Sequence, residues 1–389
     1  MAKSINLKPF REFLQSESLG GAILIVCVII SLIIANSSLG AAFESFLSID
    51  LGFNTESVHL KYPILLWIND GLMAIFFLLV GLEIKRELVE GELSSFKKAA
   101  LPIFAALGGV IAPATIYFIL NKNTETAAGW GIPMATDIAF ALAVITMLGK
   151  KVPSSLKIFL AALAIVDDLM AILVIAVFYS SDLHYVYLLY AGGIFGMLLL
   201  MNRLGVKNLV AYVIPGLFIW YFIHHSGVHA TIAGVLTAFA IPTNSTADES
   251  PLEKLEHILV NPVNFVIMPL FALANTNIRF VPEMLDGLTT SLGLGIILGL
   301  VIGKPLGITI LSWLTVKMRI SVKPAGAGWI HIVGVGMLGG IGFTMSVFIA
   351  LLSFPGAELI LSEAKFSILT GSVLSGILGY LLLNQVSRK

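Results

Sequence analysis

Apolar residues in this chain gather into long, nearly unbroken runs, without the alternation of a half-buried strand or the one-sided stripe of a surface helix. Twelve runs of spanning length stand at about 19–36, 62–82, 99–120, 129–148, 158–178, 184–201, 208–223, 227–242, 262–278, 292–314, 325–353 and 365–384. A helix of about 20 residues crosses a hydrocarbon core of about 30 Å. The pattern therefore predicts an all-α polytopic membrane protein of about twelve transmembrane helices, a single integral domain over residues 1–389. Runs seven and eight are the shortest, and only His224-His225-Ser226-Gly227 separates them. No soluble domain interrupts the runs, because every connection is short. In the longest, 37–61, Ile49, Leu51 and Phe53 alternate with polar or small residues, Asn54-Thr55-Glu56-Ser57 breaks the pattern, and Val58 and Leu60 resume it. This reads as a β-hairpin over about 47–61. An isolated two-stranded hairpin is marginal in water, so it calls for a partner such as its copy in a second protomer.

Composition narrows the class. The chain is 58% hydrophobic and 12% charged, with a mean hydropathy of +0.97, which excludes an ordinary soluble domain. Lys plus Arg and Asp plus Glu both number 23, so bulk charge points to no nucleic acid and no acidic partner. The single cysteine, Cys27, excludes an internal disulfide. The first run follows Lys3, Lys8 and Arg11 without a clear small-x-small cleavage site, and reads as a helix, not a signal peptide. An even number of spans puts both termini on one side. With the termini in the cytoplasm, 18 of the 23 basic residues fall inside, four (Lys61, Lys122, Arg279, Lys365) fall outside, and Lys304 falls within a span. That is the asymmetry the positive-inside rule requires, and a miscounted helix would scramble it.

Against this apolar background the exceptions carry the chemistry. Asp167 and Asp168 are adjacent near the middle of the fifth run. Each acid at a helix centre costs roughly 2.5 to 3.5 kcal/mol unless it is protonated, paired, ion-bound or wet. Desolvation and like-charge repulsion oppose two negative charges on such a pair, so it trades protons for a cation readily. Lys304, in Gly303-Lys304-Pro305-Leu306-Gly307, lies too deep in the tenth run to reach the interface and needs an anionic partner among Asp137, Asp167 and Asp168. Three intramembrane acids and one base leave a net negative site, which suits a cation.

Two runs carry helix breakers. Pro133 lies in Gly129-Trp130-Gly131-Ile132-Pro133-Met134-Ala135-Thr136-Asp137, and five glycines fall within Gly334 to Gly342 of run eleven. Bare backbone in a bilayer is tolerated only where protein or a wet cavity surrounds it. Helices four and eleven are an odd number of spans apart and run in opposite directions. Helices three to five (about 99–178) and ten to twelve (about 292–384) are thus expected to be inverted repeats, and matched breaks in two inverted halves point to a transporter's binding site. Asp137 and Lys304 are placed to offset the partial charges of the opposed helix ends.

Six segments in order, Phe77-Leu78-Leu79-Val80-Gly81-Leu82-Glu83-Ile84-Lys85-Arg86-Glu87-Leu88, Ala135-Thr136-Asp137-Ile138-Ala139-Phe140-Ala141-Leu142, Ala164-Ile165-Val166-Asp167-Asp168, Ser226-Gly227-Val228-His229-Ala230-Thr231, Gly303-Lys304-Pro305-Leu306-Gly307 and Gly339-Gly340-Ile341-Gly342-Phe343-Thr344-Met345-Ser346, resemble the signatures of the NhaA-type sodium/proton antiporters of bacterial inner membranes. Those antiporters are among the carriers from which the inverted-repeat rule was drawn. The resemblance covers essentially the whole chain. It implies that Asp168 is the principal Na+ or Li+ ligand and proton carrier, with Asp167 its partner. Thr136 and Asp137 would lie where the broken helices cross, and Lys304 would pair with one aspartate and itself carry a proton. Glu83, Lys85, Arg86, Glu87, Glu253, Lys254, Glu256 and His257 match a cytoplasmic cluster associated with pH activation, in which His257 is the only histidine. The external hairpin resembles the family's dimer contact. Asp70 is a secondary candidate for the ion path, with a packed polar pair beside Asn69 equally open, and His229 is a secondary candidate better explained by a structural hydrogen bond. Metal binding at His224-His225 is not expected.

The expected function is antiport of cytoplasmic Na+ or Li+ against external H+ across the inner membrane, with both termini cytoplasmic, activated by rising pH and serving sodium extrusion and cytoplasmic pH homeostasis. Two titrating groups exchanged for one monovalent cation move net charge, so two H+ per Na+ is expected. No cofactor and no enzymatic activity are expected. A cation channel is the stronger rival by physics alone. An intramembrane aspartyl protease is the weaker one, since Tyr-Asp and Gly-x-Gly-Asp are missing and adjacent acids on a helix do not face each other.

Overall fold

A computed structural model describes residues 8–56, 59–180, 183–243, 249–280 and 283–386. Eight helices among these residues are long and apolar enough to cross a membrane: Ile64–Val89, Phe96–Asn121, Ala127–Met147, Ser154–Phe178, Tyr185–Arg203, Pro251–Asn275, Ser291–Lys317 and Glu358–Val386. Two bent pairs, Leu19–Ala35 with Gly40–Leu47 (112°) and Trp329–Gly339 with Phe343–Ser353 (48°), bring the candidates to ten, and two shorter apolar helices are Val210–His224 and Thr231–Ala240. Taken together these segments follow the order of the twelve hydrophobic runs, and they are called the first to twelfth spans here. The chain is an all-α polytopic membrane protein.

The differences from the sequence pattern have physical causes. Helix one begins at Lys8 and helix nine at Pro251, each 11 residues before its apolar run, because charged first turns hide a helix from a hydropathy count. Ser250 starts the ninth span through a capping box: its Oγ accepts from Glu253 N (3.2 Å), and its own N donates to Glu253 Oε2 (2.7 Å). The eighth span is a 10-residue helix, about 15 Å long at 1.5 Å per residue, too short to cross alone. The eight-residue helix Gly40–Leu47, turned sharply away from the first span, was not legible in the sequence.

The external hairpin pairs Asp50–Leu51 with Tyr62–Pro63, Asp50 opposite Pro63 and Leu51 opposite Tyr62, with a further bridge from Asn54 to His59. Its second arm therefore reaches closer to the second span than the Val58 and Leu60 alternation suggested; residues 57 and 58 lie outside the described residues. At Gly52 the chain takes a φ of +113°, and a Cβ there would collide with the Leu60 carbonyl, so only glycine lets the arms close. Trp67 Nε1 donates to Leu51 O at 3.1 Å and ties the hairpin to the second span.

Two halves of the fold are built alike: a long helix, a broken span, another long helix. The leading helices, Phe96–Asn121 and Ser291–Lys317, lie along each other with Gly108 and Gly307 face to face, where a Cβ on either would strike the other's carbonyl oxygen. Close backbone approach of this kind is how membrane helices gain packing without a hydrophobic driving force. The trailing helices, Ser154–Phe178 and Glu358–Val386, flank the two broken spans.

Gly307→Val is expected to cost about 1–3 kcal/mol of stability through overpacking. Gly192→Val, at a position with nothing within 4 Å of the added Cβ, should be neutral. Thermal stability of the two purified variants, followed by size-exclusion chromatography after heating, compares them.

Candidate functional site

The fourth span is a 3-10 helix over Ala127–Met134, extended at Ala135–Asp137 and α-helical over Ile138–Met147. Pro133 explains the first part, since it cannot donate an α-helical hydrogen bond. The eleventh span breaks between Trp329–Gly339 and Phe343–Ser353. The breaks meet and complete each other's hydrogen bonding. Ser346 Oγ donates to Ile132 O (2.7 Å), Thr136 Oγ1 to Gly339 O (2.8 Å), and Asp137 N to Ile341 O (2.6 Å). Residues 132, 136 and 137 thus meet residues 346, 339 and 341, and the two spans cross where both are broken. Backbone contact this close requires small residues: a Cβ on Gly342 would lie 2.8 Å from Ala135 O.

Asp137 holds the crossing together electrostatically. Its Oδ1 accepts from Phe140 N at 3.2 Å, capping its own half-helix. Oδ2 accepts from Thr344 N (3.1 Å) and Thr344 Oγ1 (2.5 Å), in the first turn of the other half-helix. One carboxylate thus faces the positive ends of two helices, each such charge–dipole contact contributing about 0.3–1 kcal/mol at an exposed site and up to about 2 where partly buried.

Lys304 resolves its choice of partner in favour of Asp167. Its Nζ lies 2.6 Å from Asp167 Oδ2 and 2.9 Å from Thr136 Oγ1, with Lys304 0% and Asp167 1% exposed. Through Thr136 the ammonium also lies behind Gly339 O, at the negative end of the half-helix Trp329–Gly339. Asp167 Oδ1 is buried without a hydrogen-bond partner. Helical geometry turns the adjacent Asp168, 4% exposed, toward a different neighbourhood: it lines a small cavity of ≈ 30 Å³ together with Glu83, Thr136, Asp137, Asn264 and Thr344. That is room for about one water or one bare cation. These polar side chains carry carboxylate, hydroxyl and amide oxygens, of the kind a hard cation prefers, and the other seven lining residues, Phe76, Leu79, Val80, Ile138, Ala139, Met268 and Met345, are apolar.

Asn264 and Thr344 escaped the sequence reading. Thr344 stood in a quoted motif but was assigned no role. Asn264, 7% exposed, was visible as a polar residue inside the ninth apolar run, and the structure places it in a π-helical segment, Val263–Ile267.

The eight residues of the cytoplasmic cluster separate into distinct groups. Arg86 Nη1 bonds Glu256 Oε1 at 2.6 Å and joins the second span to the ninth, with Glu87 Oε1 3.4 Å from Arg86 Nη2. Glu256 Oε2 is buried without a partner. Glu83 lines the small cavity beside Asp168. Lys85 turns the other way: Nζ donates to Phe239 O (2.8 Å) and to Ile241 O, while Asn202 Nδ2 donates to Ala240 O (2.7 Å), so three successive carbonyls ending the eighth span are held by the second and sixth. Glu253 is occupied by its capping box, Lys254 lines a surface groove with Lys207, and His257 pairs with Glu249 at 2.8 Å on the surface. An exposed pair of that kind is worth about 0–1 kcal/mol.

Toward the other end of the second span Asp70, in the π-helical segment Trp67–Leu72, meets two histidines: Oδ2 is 2.5 Å from His224 Nδ1 and Oδ1 is 3.3 Å from His229 Nε2. Asn69 pairs with Asn275 (2.7 and 3.2 Å) instead of with Asp70. His229 also contacts Thr231 Oγ1 at 2.9 Å. The partnership of Asp70 with His224 was not foreseen.

Two broken spans that cross beside a buried acid–base group are the architecture of a secondary transporter. The comparisons give the family. Residues 11–383 match the family described as Na+/H+ antiporter 1, and the chain belongs to it. It is 65% identical over 389 residues to a Na+/H+ antiporter NhaA 2 of Flavobacterium johnsoniae, covering 100% of this chain and 95% of the relative. It is 52% identical over 377 residues to a Na+/H+ antiporter NhaA of Flavobacterium psychrophilum (97% and 96% covered) and 52% over 381 residues to one of Dechloromonas aromatica (97% and 96%).

Breaking the buried ion pair by one partner is expected to cost about 3–5 kcal/mol, because the survivor is left charged in the core. Lys304→Met and Asp167→Asn should therefore each lower the thermal midpoint strongly, and the double variant should lose much less than the sum. Melting of the three purified proteins tests this; additive losses would mean that the pair is not coupled.

Proposed function

We propose that this chain is a carrier that exports cytoplasmic Na+ or Li+ in exchange for external H+, and not an enzyme. The observation that carries the reading is the division of labour between the adjacent acids: Asp167 is bonded to Lys304, while Asp168 and five other polar side chains line a cation-sized cavity at the crossing of the broken spans. Na+ and H+ compete for Asp168, so cation binding expels a proton and protonation expels the cation. The Lys304–Asp167 bond supplies a second proton-linked step: when Asp167 turns to the cation, Lys304 loses its counter-ion and releases its proton. Alternating access then carries the loaded site between faces. Two protons entering for one sodium leaving move one positive charge inward per cycle, so an inside-negative potential drives export. Acid pH holds the site protonated and stops transport, and the Arg86–Glu256 bridge between the second and ninth spans is the reading's pH-responsive element.

The positive-inside distribution supports both termini in the cytoplasm and a bacterial inner-membrane location. The external hairpin, with Leu51 and Phe53 exposed, is suited to pair with its copy in a homodimer within the lipid bilayer. Sodium extrusion and cytoplasmic pH homeostasis follow from this exchange.

Inside-out vesicles from a host lacking its own antiporters test the reading: with a proton gradient established, Na+ should collapse it for the parent and not for Asp168→Asn. Collapse with both proteins would remove Asp168 from the coupling, and Na+ flux without opposing H+ movement would establish a channel. Activity should fall toward acidic pH. In proteoliposomes under voltage control, net exchange insensitive to potential would exclude two H+ per Na+.

A further inference from the structure

We propose that one face of the second span, braced from behind by the eighth, is the size filter of the transport site: it admits a small monovalent cation stripped of its water and excludes larger ones such as K+. The inference deepens the antiport reading and rests on it. Phe76, Leu79, Val80 and Glu83 all line the cavity beside Asp168. Their spacing, i, i+3, i+4 and i+7, puts them on one face of the helix Met73–Val89, three apolar residues followed by an acid. The cavity measures ≈ 30 Å³, too little for an ion with its hydration shell. An ion there must shed its water and lie against that wall, whose three apolar side chains offer neither a ligand nor a hold for a bridging water.

The wall is a filter because it cannot retreat. At about 100° per residue, Ala74, Leu78 and Gly81 lie on the opposite face of the same helix. There the eighth span, Thr231–Ala240, packs against it with almost no side chain between. A Cβ on Gly81 would lie 2.7 Å from Ala238 Cβ, and one on Gly234 would lie 2.2 Å from Ala74 O and 2.7 Å from Leu78 N. Polar contacts fasten the two at both ends. Asp70 Oδ1 lies 3.3 Å from His229 Nε2, just before the eighth span, and Lys85 Nζ donates to Phe239 O (2.8 Å) and to Ile241 O at its close. The eighth span is backed in turn by the seventh, where a Cβ on Gly216 would stand 2.8 Å from Thr237 Cγ2. Seventh, eighth and second spans thus stack without slack behind the cavity, and a close-packed interior transmits strain instead of yielding. A 10-residue helix too short to cross a bilayer alone has its use here as a brace.

Selectivity among cations can come from the size of a site or from the number and field strength of its ligands. Leu79 and Val80 separate the two, because their side chains carry no ligand atom: only a filter of size depends on their bulk.

Parent, Val80→Ala, Leu79→Ala, Gly234→Ala and Gly81→Ala are reconstituted as the full chain in proteoliposomes, and proton movement driven by Li+, Na+ or K+ is followed with a pH dye to give Vmax/KM for each cation. Ratios between cations are internal to each preparation, so a loss of folded protein does not move them, and where one variant of a pair fails to fold the other carries the test. The parent should exchange Li+ and Na+ and discriminate against K+. Either truncation takes bulk from the wall, and K+ is expected to gain about tenfold on Na+, the low end of what one methylene of pocket fit is worth. The glycine variants force the second and eighth spans apart and press the wall inward, so Li+ should gain on Na+. A K+:Na+ ratio that stays at the parent's in the truncations, with Na+ exchange intact, would overturn the filter, as would a parent that exchanges K+ as well as Na+. A Li+:Na+ ratio unmoved in the glycine variants, or moved toward Na+, would overturn the brace. Failure of the antiport reading itself is distinguishable, since the parent would then show no proton movement with either Li+ or Na+.

Discussion

Backbone amides and carbonyls inside a bilayer have no water to bond, so a helix can open there only if something else takes over its broken ladder. Residues 134–137 and 339–344 meet that constraint by opening two helices at the same place. Each supplies the other's missing partners, through Asp137 N on Ile341 O, Thr136 Oγ1 on Gly339 O and Ser346 Oγ on Ile132 O. Neither break would be stable alone. The close packing of the third span on the tenth, with Gly108 against Gly307, holds the two halves near enough for the exchange.

Charge then follows geometry. The crossing gathers helix N-termini at one point and a C-terminus at another, and the side chains answer them: Asp137 faces Phe140 N and Thr344 N, and Lys304 stands behind Gly339 O through Thr136. A lysine 0% exposed needs a counter-charge, and Asp167 provides it at 2.6 Å. Because consecutive residues on a helix diverge by about 100°, committing Asp167 to Lys304 sends Asp168 toward the cavity. The ion pair, the crossing and the cavity lining therefore draw on one set of neighbouring residues.

The end of the second span shows a similar economy. It brings Glu83 to the cavity beside Asp168, Arg86 to Glu256 of the ninth span, and Lys85 to the carbonyls that end the eighth. Three contacts in different directions from a single turn of helix fix that span's rotation. Residues that appear as one charged cluster in the sequence thus divide into a cavity wall, an interhelical bridge, a helix-end clamp and, at Glu253, a cap.

By itself the sequence determined the class, the order of the spans, the breaks in the fourth and eleventh, and Asp137, Asp167, Asp168 and Lys304 as charges set within the spans. Apolar run length, the cost of a buried charge and the disruption caused by Pro133 or a glycine cluster are local properties, readable without neighbours. Tertiary structure alone decided which acid Lys304 takes, which of the paired aspartates faces the cavity, that Asp70 belongs with His224 and His229, and that Asn264 stands beside the site. These are contacts between residues far apart in the chain, set by helix rotation and by π-helical shifts of register. A hydrophobic pattern constrains rotation only weakly in a helix that is apolar on every side.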